Sequence, residues 1–105
     1  MYGAVIHAPF DVRYEERPDP TIMLPTDAIV RTVAACVRGS DLWKYRGATL
    51  LPGPTPIGHE YVGIVEEVGV DVSTVSPGDF VVGGFYTSCN ECAACGVGVH
   101  TSCEK

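Results

Sequence analysis

The chain has 105 residues, enough for one domain with a real core and too few for two. With 46% hydrophobic and 19% charged residues it has the composition of an ordinary globular protein, not of a disordered one. A formal net charge of −6, with Lys and Arg scattered rather than grouped, argues against nonspecific attraction to nucleic acid or anionic lipid.

The opening MYGAVIHAPFD has neither a basic start nor a sustained apolar run, so no secretory leader is expected. The uncharged stretch from Phe80 to Asn90 carries Gly, Thr, Ser and Cys, which rules against a membrane-spanning helix. The expectation is a soluble, cytoplasmic chain. Strand signals dominate, and no long stretch has a helical period. Residues 2 to 7 form an apolar-rich strand, and Val12 to Glu16 alternates as its hairpin partner would. RPDPTIMLPTD, with three prolines, reads as an ordered loop. Ala28 to Val37 is the strongest strand. Ile29, Val33, Ala35 and Val37 share one face, and Val30, Ala34 and Cys36 share the other. Two mainly apolar faces predict an interior strand. GATLLPGPTPIG is a second proline-rich loop, and Tyr61 to Val68 a further strand. Ser76-Pro77-Gly78-Asp79 places Pro and Gly where a type II turn needs a fixed and then a positive φ. Phe80 to Val82 continues as a strand. Short strands joined by turns suggest an all-β, barrel-like domain, with a sandwich left open.

From Cys89 onward the composition turns to Cys, Gly and Ala, too poor in large side chains to build a core. Cys89, Cys92, Cys95 and Cys103 follow C-x2-C-x2-C-x7-C. Zinc takes four thiolates tetrahedrally, and two-residue gaps let neighbouring cysteines converge on one ion. Four thiolates fill the coordination sphere, so the site is expected to be structural, with one zinc per chain. The alternatives are two disulfides, which suit exported chains, or four unrelated thiols. His100 lies inside the loop as a competing ligand or, on the plainer reading, a solvated loop residue.

AACVRGSDLW, residues 34 to 43, sets a cysteine, a serine and an aspartate close together, and His59 and Glu60 follow in IGHE. Arg38 stands in their midst. Together with YVGIVEEVG, PGDFV at 77–81 and the four-cysteine lobe, GSD at 39–41 and GHE at 58–60 carry a resemblance. The chain resembles the N-terminal, GroES-like catalytic domain of the zinc-dependent, medium-chain alcohol dehydrogenases. That resemblance implies a partly open, mainly β barrel with an irregular zinc lobe over about residues 86–105. It also implies a separate Rossmann domain for NAD or NADP, and small alcohol or aldehyde substrates. In the family a second zinc polarises the alcohol oxygen while hydride leaves for the nicotinamide. By position, the resemblance makes His59 a ligand of that zinc and Glu60 a carboxylate close behind it. Ser40 becomes the hydroxyl that takes the substrate proton, and Asp41 the group that orients the His59 imidazole.

Three departures qualify this. The family's ligand cysteine lies two residues before the Ser of GSD, where this chain has Arg38. A guanidinium is always protonated and offers no lone pair. Cys36, one strand repeat away at roughly 6.5 Å, could substitute only through a slip or bulge; otherwise it is a small buried apolar residue. Arg38 itself pairs with Glu60 or Asp41, or stands exposed on an edge. Trp43 occupies a position where the family often has a proton-relaying His, and is expected to wall the substrate pocket. No G-x-G-x-x-G follows a strand. The leading expectation is therefore an incomplete catalytic domain over residues 1–105, without its Rossmann partner, binding structural zinc and not NAD(P), and unable to transfer hydride alone. The alternative is a stand-alone zinc-stabilised interaction module that self-associates through exposed strand edges or binds a partner chain. Among lesser candidates, His7 reads as a surface or packing residue. Glu66 and Glu67 point to opposite strand faces and are no acid/base pair.

Overall fold

The computed structural model describes residues 1–104, and Lys105, the last residue of the expected lobe, lies outside them. The chain forms two three-stranded antiparallel sheets. They make an open rather than a closed barrel, mainly β, as the sequence implies.

The first sheet is built on β1 (Tyr2–Ala8), flanked by β2 (Asp11–Glu16) and by a two-residue strand, β4 (Thr55–Pro56). The β1–β2 hairpin expected from alternation is present, with Tyr2 opposite Glu16 and a register shift between Ile6 and Ala8. β4 was not anticipated. It lies inside the proline-rich loop and pairs Pro56 with Val5 and Thr55 with Ile6. Flanked on both sides, β1 buries Val5 and Ile6 completely. At the hairpin tip Phe10 donates its N–H to the Tyr45 carbonyl at 2.8 Å and packs edge-on against the Tyr45 ring. That contact ties the first sheet to α1 (Gly39–Tyr45). His7, as expected, does structural work: its Nε2 pairs with Glu15 Oε2 across the hairpin at 3.0 Å.

The second sheet has the order β3 (Ala28–Ala35), β5 (Tyr61–Val68), β6 (Phe80–Gly83). β5 is the middle strand and contributes buried Val65. The interior placement expected for Ala28 to Val37 is overturned. β3 lies at the sheet edge, stops at Ala35, and is mostly exposed. Apolar faces report what a strand can bury, not its place in the ladder. This one carries two register shifts, between Ile29 and Val30 and between Thr32 and Ala34, and such bulges are typical of edges. Arg31 and Glu66 pair across the two strands at 3.0 Å. Gly63 sits opposite the second bulge, where a Cβ would come within 2.5 Å of Val30 Cγ1 and 2.6 Å of the Arg31 carbonyl oxygen. Only glycine lets the strands approach there. The Ser76–Asp79 turn forms as read, with Gly78 at φ 97° and the Asp79 N–H donating to the Ser76 carbonyl.

The remaining elements are short. The helix α1 was not foreseen, because seven residues are too few to display a period. The cysteine lobe contains one helical turn, α2 (Ala93–Gly96), and a 3-10 turn at His100–Ser102. No helix among the described residues is long and apolar enough to cross a membrane.

Candidate functional site

In the lobe, the four sulfur atoms of Cys89, Cys92, Cys95 and Cys103 all lie within 4.8 Å of one another. A tetrahedral zinc with bonds of about 2.3 Å requires sulfur–sulfur separations of about 3.8 Å, so the set fits the ion with little movement. Asn90 at φ 60° and Gly98 at φ 85° reverse the backbone between ligands. The backbone is turned toward the sulfurs. Cys89 Sγ accepts from the Cys92 and Glu91 N–H groups at 3.3 and 3.4 Å, and Cys103 Sγ from the Cys89 N–H at 3.4 Å. Backbone hydrogen bonds from Glu104 and Cys95 draw the Cys92 thiol down to about 6, while burial pushes Cys95 up to about 12. The lobe thus has one thiol poised as a thiolate at neutral pH and one held neutral by its dry surroundings. His100 is half-buried rather than fully solvated, and its buried Nδ1 has no hydrogen-bond partner among the described residues. It stands outside the four-sulfur group.

The second constellation gathers at the end of β3, the start of α1 and the start of β5. Arg38 precedes the first turn of α1, and its N–H donates to Asp41 Oδ2 at 2.8 Å while the Asp41 N–H donates back to the Arg38 carbonyl. These two bonds satisfy helix-end groups that would otherwise lack partners. They also fix Asp41, which is only 4% exposed. Its other oxygen, Oδ1, lies 3.2 Å from His59 Nδ1. On the far side of the ring, Nε2 is 3.1 Å from Ser40 Oγ. Gly58, at φ 110°, makes the bend that delivers His59 to this point. Ser40, Asp41 and His59 are therefore brought together from two elements.

Glu60 belongs to the same cluster but faces elsewhere. Its Oε1 pairs with Arg38 Nη1 at 3.0 Å, and its Oε2 accepts from the Cys36 thiol at 3.7 Å. The Arg38 guanidinium also lies over the Phe85 ring, 5.0 Å from its centre. Both readings of Arg38 hold in part: it is paired with Glu60, and its side chain is 43% exposed. Cys36 is exposed, not the small buried residue expected. Its N–H donates to the Glu60 carbonyl, and the two bulges of β3 lie upstream of it. The donor set around His59 does not fit a divalent cation: among the described residues no group of three His, Cys, Asp or Glu donors converges there, and the imidazole's neighbours are a hydroxyl and a carboxylate already bonded to backbone. Trp43 is 65% exposed and lines a shallow recess with Leu42, Arg46 and Ala48. The larger apolar pocket that reaches Asp41 and Gly58 is walled instead by Leu42, Tyr45 and Ile57 among others. Phe85 went unremarked in the sequence, which carries no spacing signal for it.

A fold of this kind, with a four-thiolate lobe and a GSD/GHE cleft, defines a class. The family model for the alcohol dehydrogenase GroES-like domain matches residues 24–105, and the chain belongs to that family. Zinc-type alcohol dehydrogenase B of Aspergillus flavus is 41% identical over 105 residues, covering 100% of this chain and 24% of the relative. Among solved structures, alcohol dehydrogenase TADH from Thermus sp. ATN1 superposes with a TM-score of 0.94 at 36% identity, over 99% of this chain and 30% of that one. The apo form of zinc-dependent alcohol dehydrogenase 2 from Streptococcus pneumonia gives 0.91 at 35% identity, over 100% and 30%. The chain thus spans about a quarter to a third of the length of these relatives.

Proposed function

We propose that this chain is the zinc-lobe-bearing part of the catalytic domain of an NAD(P)-dependent alcohol dehydrogenase-like oxidoreductase, over residues 1–105, and that its single metal is structural. Cys89, Cys92, Cys95 and Cys103 hold that zinc. The observation that carries the reading is the convergence of their four sulfurs within 4.8 Å in a segment otherwise without a core. When bound, the ion supplies folding free energy; structural zinc in small peptides contributes roughly 10–16 kcal/mol.

The cleft supports the other half of the proposal. Metal-assisted hydride chemistry needs a Lewis acid with an open position and donors to hold it. His59 is present, but Arg38 stands where the family has its sulfur donor, and Glu60 is engaged in neutralising Arg38. Asp41 makes the contact with His59 that the resemblance implies. On this reading the cleft does not assist hydride transfer from alcohols through a metal. Metal content per chain tests this directly on the wild type and on Cys89→Ala. One zinc, lost in the variant, is the expected result. Two zincs in the wild type, or alcohol turnover by the purified chain with NAD or NADP, would overturn it.

A second reading, an interaction module that self-associates, is favoured by one feature. β3 presents a sheet edge, with Val33 57% exposed. A specific dimer in solution, broken by Val33→Lys, would support that reading; a monodisperse monomer would remove it.

A further inference from the structure

His59 and the two side chains that its ring nitrogens meet, Ser40 and Asp41, form a hydrolytic arrangement. A serine nucleophile, a histidine base and a carboxylate that orients the base are recognised by geometry and not by order in the chain. Here Ser40 Oγ lies 3.1 Å from His59 Nε2, and Asp41 Oδ1 lies 3.2 Å from Nδ1. A carboxylate at that distance favours the proton on Nδ1, which leaves the Nε2 lone pair to accept from the Ser40 hydroxyl. Asp41 is buried and fixed by the Arg38 N–H at 2.8 Å, so the base is oriented from a rigid point. We infer that the cleft catalyses acyl transfer to water from small activated carboxylic esters, with Ser40 as nucleophile, His59 as general base and Asp41 as positioning residue.

Access and shape agree with this. Ser40 is exposed, and the His59 side chain is about one-third open to solvent at 32%. A pocket of ≈ 360 Å³ lies beside this group, lined by Asp41 and Gly58, the chain neighbours of Ser40 and His59, and by apolar Val37, Leu42, Tyr45 and Ile57; its volume suits a short acyl or single aryl group.

The chemistry closes without a redox partner. Ser40 Oγ adds to the ester carbonyl carbon while its proton passes to His59 Nε2. The bond from that carbon to the alcohol oxygen breaks, and the same proton passes to the departing oxygen. Water then adds to the acyl-Ser40 ester, giving a proton to Nε2. The carboxylic acid leaves as Ser40 takes that proton back.

The inference shares with the proposed function only the premise that Arg38 keeps a divalent ion off His59. The zinc-loaded chain is treated with p-nitrophenyl acetate and, separately, with an alkyl fluorophosphonate, and the modified residue is located by peptide mass. The expected result is a phosphonyl adduct on Ser40 and ester turnover that falls about 10²-fold in both Ser40→Ala and His59→Gln. Asp41→Asn should lower kcat with KM little changed, the signature of a misoriented base rather than of lost binding. Circular dichroism and lobe zinc content confirm that each variant is folded. Acetyl groups on Cys36 or lysines with Ser40 unlabelled, or unchanged turnover in Ser40→Ala, would overturn the inference. Metal count on the same sample separates the two failures. No adduct with one zinc bound sinks this inference alone, whereas no adduct with two zincs bound sinks the shared premise.

Discussion

Replacing Arg38 by cysteine puts the sharpest question to the cleft. The substitution removes a guanidinium that is 43% exposed and paired with Glu60 at 3.0 Å, and it adds a sulfur at the N-terminal end of α1. The cost of keeping the guanidinium beside an ion follows from Coulomb's law. A unit charge about 5 Å from a divalent cation, at an effective dielectric of about 20, is repelled by about 7 kcal/mol. Each 1.4 kcal/mol is about a tenfold change in affinity, so a site that would otherwise bind tightly is weakened by roughly five orders of magnitude. Glu60 offsets part of this, but only by remaining with Arg38. Losing the pair and the ring contact with Phe85 costs the fold about 1–2 kcal/mol at this exposure, small beside the repulsion removed. Zinc per chain, measured after loading and desalting, should rise from one in the wild type to two in Arg38→Cys. Arg38→Met, which removes charge without adding a donor, should stay at one. A folded Arg38→Cys protein that still holds one zinc would mean that the guanidinium is not what excludes the ion.

Other perturbations act on separate parts of the molecule. Gly63→Ala brings a Cβ to within 2.5 Å of Val30 and 2.6 Å of the Arg31 carbonyl; it should cost about 1–3 kcal/mol as overpacking, read as a lower urea midpoint, and an unchanged midpoint would refute the close approach. In zinc-stripped protein, Cys92, drawn down to about 6, should alkylate fastest at neutral pH and Cys95, pushed up to about 12, slowest, with mass mapping as the readout. A lowered thiol pKa stabilises the folded lobe above the unfolded value near 9, and that contribution fades as pH falls through about 6. The metal-free lobe should therefore loosen on acidification through that window, and protection of its amides that is flat with pH would count against it. Chelation of the zinc-loaded chain should expose the lobe to protease at 86–104 while the β1–β2 hairpin persists, and simultaneous loss of both would show that the ion supports the whole fold.

What was legible in the sequence depended on how local the cause was. The four cysteines announced their convergence because ligand spacing is a property of a short segment, and the Ser76–Asp79 turn because Pro and Gly each fix one dihedral. The β1–β2 hairpin followed from alternation for the same reason. The place of β3 was not local. Its two apolar faces say nothing of which strands flank it, and its bulges are visible only against the β5 register. β4 owes its existence to β1: residues Thr55–Pro56 become a strand because Val5 and Ile6 present an unpaired edge. The helix α1 is carried by its end bonds between Arg38 and Asp41 more than by any apolar stripe, so no period could reveal it. The contact of Arg38 with Glu60 was foreseen from charge alone, whereas Phe85 beneath the same guanidinium was not, because it lies on the segment after β6, far away in the chain.

The two constellations differ in how many elements must agree, and this explains why one substitution can separate them. The lobe draws all four donors from Cys89 to Cys103, a stretch whose backbone N–H groups already face the sulfurs. Nothing outside it needs to hold position. The cleft needs the end of β3, the first turn of α1 and the first residues of β5 in register, with His59 reached through a glycine bend. Arg38 sits where these three meet. It donates its backbone N–H to Asp41 and its side chain to Glu60, so the residue that denies a metal its donor also fastens the surrounding groups in place. A cleft stabilised in this way can keep the Ser40, His59 and Asp41 alignment without an ion. Arg38→Met should therefore disturb Glu60 and Cys36 while the 2.8 Å backbone bond to Asp41 survives, because that bond uses the main chain. A structure of Arg38→Met in which the His59 ring has left Ser40 and Asp41 would show that the alignment depends on the guanidinium itself.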